Sequence, residues 1–212
     1  MTRFLTVFSV LMTILCYSGT HFLPPLSAQN VAEELIGAAE MGDIGEVRKL
    51  LKQGLPVDAA NEDGWTALMK AVYEGYEDMV QLLIAQGANV DKAENAGWTA
   101  LMMASQFGYT AIVRKLNAIG ADVNIKNKSG TTALMLAAIN AQDMIMQDLL
   151  EAGADIGAVD NEGKTALMLA SVDGYEATVQ TLIVSGADIN SRDKKGNTAL
   201  ILATKQGQTA VV

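Results

Sequence analysis

Two side chains in the chain could supply a neutral-pH base or a thiol nucleophile: Cys16 and His21, the sole cysteine and the sole histidine. Both fall in a segment with the layout of a secretory signal. Arg3 is followed by 14 uncharged residues, FLTVFSVLMTILCY at 4–17, and then by the more polar SGTHFLPPLSA, which ends at Ala28. Cleavage after Ala28 is the expected outcome, although Leu26 is large for the third place before that cut. An uncleaved anchor over residues 4–23 is the alternative, marginal for a span because of its length and of His21. A lipid-modified Cys16 fits poorly, because Thr13, Ile14 and Leu15 are bulky where such sites use small residues.

Cleavage would leave residues 29–212 with no cysteine and no histidine. Such a chain has no disulfide, no thiolate, no zinc cluster and no imidazole to move protons near neutral pH. Carboxylates remain. Asp58, Glu62, Asp63, Asp91, Glu94, Asp155, Asp160, Glu162, Asp188 and Asp193 recur at turns, where solvated tips are expected rather than a closed acid–base pair. No D-x-D-x-D-G loop gathers the oxygens that calcium needs, and no glycine-rich phosphate loop is present. The expectation is no enzyme, no cofactor, no metal and no small-molecule substrate. The remaining 14 basic and 24 acidic residues give a net charge of −10, which repels phosphate backbones and argues against nucleic acid. Asn127-Lys128-Ser129 forms a glycosylation sequon on what the pattern reads as an exposed tip.

The elements that carry these residues repeat. GWTALMKA begins at Gly64, GWTALMMA at Gly97, GTTALMLA at Gly130, GKTALMLA at Gly163 and GNTALILA at Gly196, each 33 residues after the last. A second series, Gly54, Gly87, Gly120, Gly153 and Gly186, keeps the same period, and four of the five are followed by Ala. Within one unit, Asp63-Gly64 marks a turn, Thr66 can cap a first helix ended by Gly75, and a second helix with Met79, Leu82, Leu83 and Ile84 near one face ends at Gly87.

A 33-residue turn–helix–helix unit resembles the ankyrin repeat. Gly64, Thr66, Leu68 and Ala71, then Val80, Leu83, Gly87 and Ala88, match that family's pattern, and the matches cover about residues 31–212. The usual Pro is replaced by Ala67, Ala100, Ala133, Ala166 and Ala199, and the usual His by Met69, Met102, Met135, Met168 and Ile201. Met cannot donate the hydrogen bonds that the family's His supplies, so apolar packing is expected to replace polar links between turns. The resemblance implies an all-α solenoid of stacked helix-turn-helix units with projecting hairpin-like loops. Its expected parts are a capping repeat at about 31–60, repeats at about 61–93, 94–126, 127–159 and 160–192, and a truncated last repeat at 193–212 with a fraying end.

The resemblance also implies that the concave surface of first helices and turns binds another protein. Framework-variable positions there carry Trp65, Tyr73 and Trp98 in adjacent repeats, so stacking should align them as one side of a partner site, with Asp63 and Glu94 at an acidic rim. The competing expectation is that the two tryptophans cover neighbouring turns and that Tyr76, Tyr109 and Tyr175 fill seams between repeats. The N-terminal layout places such a module in the periplasm or outside the cell. The alternatives are a membrane-anchored stabilising partner, touching membrane only through an uncleaved segment, and a secreted effector acting on a target-cell protein.

Overall fold

The computed structural model describes residues 28–211, so the signal-like segment and any cleavage or anchoring there lie outside the described residues. The described chain is a row of helix pairs: α1 (Ala28–Glu40) with α2 (Ile44–Lys52), α3 (Ala67–Tyr73) with α4 (Glu77–Ala85), α5 (Ala100–Phe107) with α6 (Thr110–Ala118), α7 (Ala133–Ile139) with α8 (Asp143–Glu151), and α9 (Ala166–Asp173) with α10 (Glu176–Val184). The last pair is α11 (Ala199–Gln206) and a single 3-10 turn, Thr209–Val211. No named strand occurs among the described residues. Isolated bridges Ala60–Thr66 and Ala93–Thr99 close two of the turns.

Each first helix from α3 onward starts the same way. Thr66, Thr99, Thr132, Thr165 and Thr198 are extended, and each Oγ1 accepts from the backbone N–H three residues on, at 3.3–3.4 Å. Such a cap is worth about 1 kcal/mol. At the other end Gly108, Gly174 and Gly207 adopt left-handed angles, φ 79°, 76° and 73°, and stop α5, α9 and α11. Ala141 occupies the equivalent position after α7 with φ 51°, and it is the single non-glycine residue with positive φ among those described. A side chain there costs about 1–2 kcal/mol relative to ordinary helix angles.

First helices stack on first helices along the row, and second on second from α4 onward. Leu68, Leu101, Leu134 and Leu167 are 1–2 % exposed, and the Met69, Met102, Met135 and Met168 stripe is equally sealed. That stripe is therefore core. Leu200 and Ile201 hold the same places in α11 but are 52 % and 38 % exposed, because no further helix among the described residues lies over them.

The turns correct two expectations. Polar links between turns persist without His: the N–H groups of Asn95, Lys128, Asn161 and Lys194 donate to the carbonyls of Asp63, Ala96, Ser129 and Glu162 at 2.8–2.9 Å. The Asn95 and Asn161 amides add bonds to Glu62 O and Lys128 O. The second correction concerns the tips. Asn61, Glu94, Asn127, Asp160 and Asp193 share one register, and each side chain accepts from the N–H groups two and four residues on. Asp193 and Asn127 are consequently buried, not solvated. The sequon asparagine thus does not stand on an exposed tip, because its amide oxygen holds the turn together.

Candidate functional site

Trp65 follows the turn that precedes α3, and Tyr73 is the last residue of α3; Trp98 follows the next turn, and Met103, Gln106 and Phe107 lie on α5. The 33-residue period sets Trp98 beside Trp65 and Gln106 beside Tyr73, so two adjacent repeats build one surface. These six residues, with Glu94 and Ala96, line a groove of about 500 Å³. Trp65, Tyr73 and Phe107 run in a chain of edge-to-face contacts, with centroids 5.7 and 5.2 Å apart and rings at 83° and 86°. Phe107 continues to Tyr109 at 5.9 Å. Edge-to-face geometry places the positive ring edge on the negative face and fixes the rings against each other.

Tyr73 and Phe107 remain 46 % and 42 % exposed, large apolar area left facing solvent. Trp65 and Trp98 are half-buried and lean on the core, so each serves the scaffold as well as the groove wall. Lys70 sits 5.2 Å from the Trp65 ring centre and 5.8 Å from that of Tyr73, and its ammonium pairs with Glu40 at 2.9 Å. The faces of these rings therefore already accept a cation.

The groove gathers Trp65, Tyr73, Trp98 and Glu94. It does not include Asp63, which stays exposed on its tip and contributes its carbonyl to Asn95. Glu94 lines the groove, but its two oxygens each accept a backbone N–H, from Trp98 and Ala96 at 2.9 Å. Its carboxylate braces the turn that presents Trp98. Phe107, Met103 and Gln106 complete the wall. Phe107 was discoverable: the same framework position holds Glu74, Asn140, Asp173 and Gln206, so an aromatic ring there breaks a polar column.

Tyr76 and Tyr109 belong to the scaffold. A Cβ added to Gly42 would meet the Tyr76 ring at 3.2 Å, and one added to Gly75 would meet Tyr109 at 3.0 Å, so each ring closes the seam with the preceding repeat. Among the described residues no group of three or more His, Cys, Asp or Glu side chains could hold a metal ion, and no helix is long and apolar enough to cross a membrane.

A protein-family model described as ankyrin repeats (3 copies) matches residues 35–127, 116–193 and 134–212. No curated protein matches the chain.

Proposed function

The chain belongs to the ankyrin repeat family, whose repeats are non-catalytic and generally mediate protein–protein interaction, and from that premise we propose that it is a protein-binding module working outside the cytoplasm. The observation that carries the binding reading is the exposed aromatic row in the α3–α5 groove. A soluble array gains nothing from leaving Tyr73 and Phe107 each more than two-fifths open beside two tryptophans, whereas rigid aromatics are what partner surfaces use. Binding proceeds by shape and side-chain complementarity, with no bond made or broken. The export reading is supported by Arg3, the uncharged stretch at 4–17 and the small residue Ala28.

Site-specific photo-crosslinking tests both parts. A photoreactive amino acid at Gln106, in the groove, should capture a protein from the extracytoplasmic fraction. The same group at exposed Gln86, at the end of α4, should not. Equal capture at both positions, or capture from the cytosol alone, overturns the proposal.

A further inference from the structure

We propose that the concave face holds one extended, charge-dipolar protein segment, its cationic end at the aromatic groove and its acidic end at a second, lysine-lined groove three repeats away. The inference rests on the reading of the aromatic groove as a protein-binding site, and it adds the class and the polarity of the occupant.

The second groove encloses about 410 Å³ and includes Lys164, Lys194, Lys195, Lys205, Asn197 and Leu202 in its wall. It is the first groove displaced by 99 residues, three repeat lengths. Lys164 holds the position of Trp65, Asn197 that of Trp98, Leu202 that of Met103 and Lys205 that of Gln106. Both grooves therefore lie on the same face, and along the array Trp65 gives way to Lys164 and Gln106 to Lys205, so an aromatic wall is replaced by a lysine-lined one. Between them the column runs through Thr131 and Ile139, which carry no charge.

The charges favour opposite ends of a partner. Residues 29–98 hold thirteen acidic and five basic side chains, a net of −8, while residues 99–212 hold eleven and nine, a net of −2. In the second groove the four lysines face two carboxylates. Glu162 pairs with Lys164 at 2.7 Å, and Asp193 is engaged by its own turn and by the Asn197 amide. The Lys205 ammonium donates to Asn197 Oδ1 at 2.6 Å. Lys194 and Lys195 are exposed, and neither side chain has an ion pair among the described residues. Two ammonium groups thus stand ready for carboxylates. At the other end, the rings of Trp98 and Phe107 line the groove with no cation of the described residues seated on them, within an acidic half, and suit a Lys or Arg side chain. Helices pack roughly 8–10 Å apart, so three repeats span about 24–30 Å. An extended chain at about 3.3 Å per residue covers that in about 7–9 residues.

The test uses a displayed library of random dodecapeptides selected on the protein. The expected binders carry Lys or Arg near an aromatic residue at one end and Asp or Glu about 7–9 residues away. Their affinity should fall at least about tenfold in the Lys194→Glu/Lys195→Glu double variant and likewise in Trp98→Ala, with far-ultraviolet dichroism melts confirming that both variants are folded. Binders weakened by Trp98→Ala but indifferent to the lysine reversal overturn this inference and leave the aromatic groove as the binding site. Binders indifferent to both variants, or a selection that yields none, overturn the inference together with the reading on which it rests.

Discussion

Replacing Leu134 with Ala and Leu200 with Ala applies the same deletion at the same framework position in two different settings. Leu134 is 1 % exposed under α9, and Leu200 is 52 % exposed on α11. Truncation removes three carbon groups, worth about 0.8 kcal/mol each when buried, or about 2.4 kcal/mol. A residual cavity raises the cost at Leu134 to about 3 kcal/mol or more. At Leu200 half of the transfer term is already forfeited to solvent and no closed cavity can form, leaving about 1 kcal/mol. With a urea slope near 2 kcal/mol/M, the midpoint should move by about 1.5 M for Leu134→Ala and by about 0.5 M for Leu200→Ala. Equal midpoint shifts at unchanged slope would refute the claim that each repeat's stability comes from the neighbour that covers it.

Further outcomes follow from the turns and the chain start. Ala141→Gly relieves a left-handed alanine and should raise stability by about 0.5–1 kcal/mol, seen as a higher melting temperature; a drop would show that the Cβ is needed there. The hydrogen bond from the Asn197 amide, together with the Asn197 and Lys195 backbone N–H groups, holds Asp193 below its ordinary carboxylate range. Because the folded value is depressed, its stabilisation is present above the unfolded value of about 3.9 and is lost as pH falls through the folded one. Asp193→Asn should therefore flatten the acid limb of a stability–pH profile, and an unchanged limb would contradict the assignment. If the export reading holds, mass determination of the protein from its producing cells should find Gln29 at its start, whereas Met1 or Thr2 on cytosolic protein would exclude export.

Much of the fold was legible in the sequence because the forces that set it are local. A Thr three residues before a Met writes its own helix cap, and Gly207 ends α11 because it alone takes the left-handed turn cheaply. The tips were harder to read. Asn127 looks like a surface sequon in isolation, and its burial emerges only from the column Asn61, Glu94, Asn127, Asp160 and Asp193, where one side chain satisfies two backbone donors. The same column explains why Glu94 braces the groove's turn while Asp63, one residue from a framework glycine, stays outside. Trp65, Tyr73 and Trp98 could be placed on one face by periodicity. Ring-on-ring geometry decides which neighbour joins them, and no period encodes the turn of Phe107 toward Tyr73.

The central claim is that the aromatic groove binds a protein, and Phe107→Ala addresses it most directly. Because Phe107 is 42 % exposed and lies outside the sealed core, its loss should cost about 1–2 kcal/mol of stability and leave the array folded. With the protein captured at Gln106 as titrant, calorimetry on wild type and variant, at a temperature where dichroism shows both folded, should show affinity falling by about 2 kcal/mol, roughly thirtyfold. Unchanged affinity with both proteins folded would contradict the account.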